Sequence, residues 1–366
     1  MAEDRGGLSP AWRALIAFWL VLLIGGAGLV AWLELTAPGE TAVATAPAGP
    51  ANSAEPPATA ATATATLTPP APAAATPEPP GATPADRLPG TTAAIGPGGI
   101  AEPDPALIEP RPDGALPRIG PDGRQPWRVY ARRFDDADRR PRIAVLVVGL
   151  GVSEGATTTA IERLPGEISL AFSPYGLRLE RQFAAARAAG HEVLIGLPME
   201  PANFPLNDPG PQALLTGLPP PENAARLAWA LSRAQGYVGV TNAASAVLRG
   251  ERFTASAEAM RPVLETLRER GLLYIEARPG ERAPSAVPAR AADVVIDERP
   301  ARAEIEARLA ELERIAQERG VALGVSGPSP LSLDRLAVWA PQVGTRGLVL
   351  APVSAVVVRP ATTARP

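Results

Sequence analysis

Cysteine is absent from the 366 residues, and histidine occurs once, as His191. Without cysteine there is no disulfide, no thiolate metal centre, no Fe–S cluster and no thiol nucleophile. A single imidazole excludes every site built on two, including HExxH zinc proteases, His-rich zinc centres and Asp-His-His hydrolases. A Ser-His-Asp arrangement would have to use His191. Lysine is also missing. All 35 basic residues are Arg, against 38 acidic ones, for a net charge of −3. That balance carries no electrostatic footprint for nucleic acid. Aromatic residues make up only 4%, whereas Pro and Gly number 44 and 34, well above ordinary usage.

The excess is unevenly spread and divides the chain. Residues 14–33 (ALIAFWLVLLIGGAGLVAWL) contain no charge. A helix of that length rises about 30 Å, the thickness of a bilayer hydrocarbon core. Trp12 and Trp32 flank it, Arg5 and Arg13 precede it, and no Arg follows until Arg87. The pattern predicts an uncleaved single-pass anchor in an inner membrane. Residues 1–13 are then cytoplasmic and the C-terminal domain periplasmic. Residues 34–121 read as a disordered Pro/Ala/Thr-rich linker. From Pro38 to Ala82 the only large apolar residues are Val43 and Leu67, too few to offset chain entropy by burial, and the composition favours extended conformers.

Residues 122–141 lead into a globular domain at 142–358, and 359–366 form a tail. Apolar runs at Ile143–Val148, Ile168–Phe172, Glu192–Leu197, Tyr237–Thr241, Leu272–Glu276, Asp293–Ile296, Val321–Val325 and Leu348–Ala351 read as buried parallel strands. Amphipathic helices lie between them. In Arg302–Arg319, residues Ile305, Leu309, Leu312 and Ile315 share a face, with Gly320 as C-cap. In Leu177–Ala189, residues Leu179, Phe183 and Ala186 do so, with Gly190 ending the helix. In Ala255–Arg270 the face is Met260, Val263, Leu264 and Leu267, with Thr254 or Ser256 as the cap. Pro262 conflicts with that helix unless its first turn begins late. Strands alternating with helices predict an α/β fold, either a (β/α) barrel or a doubly wound sheet.

Chemistry in such folds sits where strands end. The first strand exits into Val148-Gly149-Leu150-Gly151, which lacks the spacing and the Lys of a phosphate loop. The third exits into a polar, Pro-rich loop with Glu200, Asn203, Asn207 and Asp208. The fourth exits into Thr241-Asn242-Ala243-Ala244, and the fifth into Glu276-Ala277-Arg278, an adjacent pair whose plain reading is a surface ion pair. His191 precedes the third strand, at the opposite end from any such site.

The runs Ile143–Gly151, Gly190–Pro201 (GHEVLIGLPMEP), Tyr237–Ala246 (YVGVTNAASA) and Gly271–Ala277 (GLLYIEA) resemble the divergent polysaccharide deacetylase family. The resemblance spans about residues 140–355. It implies a deformed (β/α) barrel similar to carbohydrate esterases that remove acetyl groups with a divalent metal. The family's active-site residues do not carry over. Its Asp-Asp pair falls on Val148 and Gly149. Its His before Leu-Pro-Met falls on Gly196, and its Asn-Asn-His on Thr241, Asn242 and Ala243. Its Asp after strand five corresponds to Glu276, and its His-bearing loop after strand seven is replaced around Val325 and Ser326. Deacetylation needs a metal-activated water and a base, so no catalytic residue and no metal ligand is assigned.

The expectation is therefore a membrane-anchored pseudoenzyme without a cofactor. It would keep a groove lined by Glu200, Asn203, Asp208, Asn242 and Glu276 that binds glycan, such as peptidoglycan, or an envelope protein partner. One alternative is an active deacetylase whose divalent metal is held by a rebuilt carboxylate set of Glu200, Asp208 and Glu276. The other is a structural scaffold of a cell-wall complex with no glycan site.

Overall fold

The strand β3 (Arg142–Leu150) organises the domain. The computed structural model describes residues 95–96 and 98–360, together with Trp19. The anchor at 14–33 and most of the expected linker lie outside these residues. Among the described residues no helix is long and apolar enough to cross a membrane. All that follows falls within the compact unit Ala82–Pro366.

Eight strands of the main sheet run in the order β8-β7-β6-β5-β4-β3-β10-β9. They are β3, β4 (Ser169–Phe172), β5 (Val193–Gly196), β6 (Gly239–Thr241), β7 (Leu273–Glu276), β8 (Ala289–Ala291), β9 (Val294–Val295) and β10 (Val321–Ser326). Every pairing is parallel. A ninth strand, β11 (Val349–Leu350), pairs with the first two residues of β3. Each expected apolar run contains one of these strands, trimmed by a residue or two at its ends or extended. β8 (Ala-Arg-Ala) was not expected, because it has no apolar run to reveal it.

The sheet curls on itself. β8 and β9 are its two ends, yet only two residues separate them. The Ala292 amide donates to the Glu276 carbonyl on β7 at 2.8 Å, and the next amide, Asp293, donates to the Leu323 carbonyl on β10 at 2.8 Å. One short segment thus pairs first with one edge and then with the other. This curled parallel sheet is of the deformed-barrel kind and excludes the open doubly wound alternative.

Period-two alternation divides the apolar residues into two cores. Ala144, Leu146, Val148, Leu194, Ile275, Leu323 and Val325 point inward and pack with Trp127, Tyr130 and Val353. Ile143, Val145, Val147, Ile195, Val240 and Tyr274 point outward, against the helices.

Those helices are α1 (Pro126–Val129), α2 (Glu154–Arg163), α3 (Leu179–Ala188), α4 (Pro220–Leu231), α5 (Glu251–Ala255), α6 (Ala257–Glu269), α7 (Arg302–Arg319) and α8 (Pro330–Trp339). α7 has the expected bounds and buries all four residues of its predicted face, and Gly320 closes it at φ +78°. The other two helices need correction. α3 starts at Leu179, which leaves Leu177 exposed before it. The stretch Ala255–Arg270 is divided between α5 and α6, and it is Ser256 that caps α6, accepting from the Ala259 amide. Pro262 lies inside α6. Its missing N–H would have bonded the carbonyl of Glu258, in the exposed first turn, so the loss is borne by solvent.

The last part of the expected linker is also folded. Leu107 and Leu116 are buried beside a short 3-10 turn, Pro105–Leu107, and a two-stranded ladder of β1 (Ile108–Glu109) and β2 (Leu116–Pro117). The domain therefore begins before residue 121. Isolated Leu residues between Pro-rich turns gave no periodicity from which to read it.

Candidate functional site at the barrel mouth

The C-terminal ends of the strands are covered by the loop that leaves β6. Three glycines show how closely it lies. A Cβ at Gly196 would sit 2.4 Å from the Ala243 carbonyl oxygen and 3.2 Å from the Ala244 Cα. One at Gly149, where φ is +80°, would sit 3.2 Å from the Ser245 Cα. One at Gly327 would meet the Ala246 Cβ at 2.6 Å. The backbone of Ala243–Ala246 thus passes directly over the ends of β3, β5 and β10. At Gly196 the contact below 3 Å to backbone leaves no room for a side chain, and at Gly149 the positive φ disfavours one. Two of these glycines, 149 and 196, are the positions that the family resemblance sets against its Asp and His.

Asn242 holds that loop in place. It is fully buried, and its side-chain amide donates to the Arg249 carbonyl at 2.6 Å and to Glu276 Oε1 at 2.7 Å. Its Oδ1 accepts from the Ala277 amide at 2.8 Å. Glu276 in turn accepts from the Arg278 amide at 3.1 Å, Arg278 Nε at 2.9 Å and the Tyr274 hydroxyl at 3.2 Å. Burial first, and then the neighbouring carboxylate, push the Tyr274 hydroxyl well above its usual range, so it stays a donor. The Glu276–Arg278 pair forms, but Glu276 is only 4% exposed, not the surface pair of the plain reading. By alternation Glu276 shares the outward face of Tyr274, so it and Asn242 lie toward the helix layer.

Glu200 is enclosed separately. Its Oε2 accepts from both the amide and the hydroxyl of Thr216 at 2.6 Å, and its Oε1 from Arg252 at 3.0 Å. Burial raises this carboxyl, but the Thr216 and Arg252 hydrogen bonds outweigh it and hold it below the usual range. The backbone of Glu200 also accepts from the Arg252 and Phe253 amides, which joins the β5 exit to α5.

Asn203 and Asp208 are exposed. Asn203 accepts from Asn207 at 3.1 Å, and Asp208 accepts from the Gly210 amide at 2.8 Å. The structure therefore brings Asn242 and Glu276 together and gives Glu200, Asn203 and Asp208 other partners. Among the described residues no three His, Asp or Glu side chains are grouped as a metal would need. The donor set does not fit the divalent ion implied by the resemblance, because the two buried carboxylates are already saturated by Arg, Thr, Tyr and amide donors.

The profile of the divergent polysaccharide deacetylases matches residues 145–357. The chain belongs to that family. A solved structure of an uncharacterized protein from Agrobacterium tumefaciens C58 is 37% identical, with a TM-score of 0.62 over 66% of this chain and 99% of that one. A protein of Enterococcus faecalis V583 proposed to cleave cellobiose phosphate aligns over 60% of this chain and 100% of its own, at 10% identity and a TM-score of 0.42. That likeness is too weak to carry an argument. No curated protein matches.

Reading the strand exits missed one carboxylate of this deacetylase-family barrel. Asp297 follows β9 and accepts from the Gly327 amide at 2.9 Å and from the Ser332 hydroxyl at 2.7 Å, tying the tops of β9 and β10 to α8. A charged residue directly after a buried run was the available signal. His191 lies at the far end, fully buried, with Nδ1 2.7 Å from the Ile168 carbonyl and Nε2 3.2 Å from that of Ile161. Burial lowers its basicity, and it is a core residue remote from the mouth.

Proposed function

We propose that this chain is a catalytically silent member of the divergent polysaccharide deacetylases that acts by binding. The observation that carries this reading is the loop Ala243–Ala246 lying against Gly149 and Gly196. It supports the view that the space a metal, its water and an acetyl group need is filled with backbone, and no hydrolytic step is derived.

What remains available at the mouth is the exposed part of the β5 exit, including Asn203 and Asp208, whose amide and carboxylate suit hydroxyl-rich glycan. In this reading Glu200, Asn242 and Glu276 shape the site from below. The apolar sequence of residues 14–33 supports an anchor that would hold the domain in the periplasm, where peptidoglycan is the glycan at hand. The test is co-sedimentation of the full-length chain with insoluble peptidoglycan, alongside an acetate-release assay on acetylated chito-oligosaccharides with divalent metals. Binding that weakens in an Asn203→Ala, Asp208→Ala double variant, without acetate release, is expected. Metal-dependent release would overturn the reading.

A second reading rests on a different observation. Val152, Leu177, Leu206 and Val247 are strongly exposed, one on each loop after β3, β4, β5 and β6. Such a set on one face favours an envelope protein as partner. Failure to sediment with peptidoglycan, together with a partner lost on Leu206→Ser, would favour it.

A further inference from the structure

The opposite end of the barrel carries an open cavity of about 540 Å³. It lies where β3 begins and the C-terminal segment packs back, and four arginines line it: Arg128, Arg132, Arg142 and Arg359. Arg132 is paired with Glu167 at 2.6 Å, and Arg142 lies 3.4 Å from Asp136. Arg128 and Arg359 have no carboxylate partner among the described residues. Both instead lie over the same indole, their guanidinium carbons 5.0 and 5.6 Å from the Trp127 ring centre. Arg142 is held over Phe134 at 4.6 Å and donates to the Ala355 carbonyl at 3.1 Å.

Stacking fixes a guanidinium in place while leaving its N–H edges unused. The cavity therefore presents two guanidinium groups with no carboxylate partner among the described residues and a surplus of about two positive charges, in a chain whose net charge is −3. A carboxylate would neutralise one of them. A phosphomonoester carries nearly two negative charges near neutral pH and accepts from several forks at once. The volume exceeds that of a phosphate and falls in the range that holds a small organic ligand. Ala131, Phe134 and Val357 supply an apolar wall for it.

We propose that this cavity binds the phosphoryl group of a phosphomonoester. The site is independent of the barrel mouth and needs no metal. A soluble sugar phosphate and a lipid phosphate headgroup share this chemistry.

Titration calorimetry of the full-length chain tests it, with glucose 6-phosphate, glucose and short-chain phosphatidic acid as probes. Glucose 6-phosphate should bind where glucose does not. Arg128→Ala and Arg359→Ala should each weaken it about tenfold or more, and both side chains are exposed, so the fold should survive their loss. Affinity should fall with added salt and below about pH 6, where the ester loses its second charge. Tighter binding of phosphatidic acid assigns the site to a headgroup, and tighter binding of the sugar phosphate to a soluble ester. If neither phosphomonoester binds, or if both arginine variants bind as the parent does, the proposal is wrong.

Discussion

The Asn242 amide donates to Glu276 Oε1 at 2.7 Å, and that contact joins the exits of β6 and β7. Here it serves the loop above it. Every polar atom of the Asn242 side chain is occupied, by Arg249, Glu276 and Ala277. The same residue clips both ends of the covering loop and satisfies a buried carboxylate.

Asn242→Ala should therefore destabilise the domain by about 2 to 4 kcal/mol, because it leaves the Arg249 carbonyl and the Ala277 amide without this partner and removes one donor from the buried Glu276. Denaturant unfolding measures it. A loss below about 0.5 kcal/mol would show that the loop is held elsewhere.

Restoring the family's imidazole by Gly196→His should not restore chemistry. The new Cβ would meet the Ala243 carbonyl at 2.4 Å, and overpacking against backbone costs about 1 to 3 kcal/mol or more. A lowered melting temperature with no zinc uptake is expected. A variant with unchanged stability that retains zinc on dialysis would mean that the loop moves aside readily.

Glu200→Gln should cost about 1 to 2 kcal/mol without altering ligand binding, since its partners are Thr216 and Arg252. The parent carboxyl sits below its usual range. The stability it supplies is therefore present above its unfolded value of about 4.5 and fades as pH falls through the folded one. Comparing parent and variant melting temperatures in acid reads this directly. Equal acid sensitivity would contradict it.

At the other end of the barrel, Glu192 is fully buried. It accepts from the amides of Arg132 and Ser354 at 2.9 and 3.1 Å and from the Ser354 hydroxyl, with no salt-bridge partner among the described residues. Burial pushes its carboxyl from 4.5 up to about 7, against the pull of the Ser354 hydrogen bonds. Between those values the folded chain holds a proton that the unfolded chain has released, so this group lowers stability as pH rises, by about 3 kcal/mol at most. His191 acts in the opposite sense. Buried and less basic than usual, it lowers stability as pH falls through the unfolded value of 6.5. Glu192→Gln should flatten the decline toward pH 7, because it removes the group whose proton binding differs between the folded and unfolded chain. An unchanged pH profile of unfolding would refute this.

Much of the fold was legible in the residues themselves. Continuous Val, Ile and Leu runs mark strands buried on both faces, and the faces of α3 and α7 follow from 3.6-residue spacing. The absence of Cys, and of every His but one, excluded most metal and nucleophile chemistry before any geometry was known. The family resemblance carried by GHEVLIGLPMEP named the scaffold. β8 and the Leu107–Leu116 segment stayed hidden, because neither repeats an apolar pattern that propensity can detect. What each carboxylate does was decided only by the tertiary structure. Glu200, Asp208 and Glu276 are alike in sequence as candidate ligands, but the direction of a strand's last side chain and the identity of its donors depend on alternation and on distant segments such as Thr216 and Arg252. The covering of Gly149 and Gly196 by the β6 loop likewise joins positions far apart in the chain, 149 with 245 and 196 with 243, and only a folded chain brings such backbones into contact.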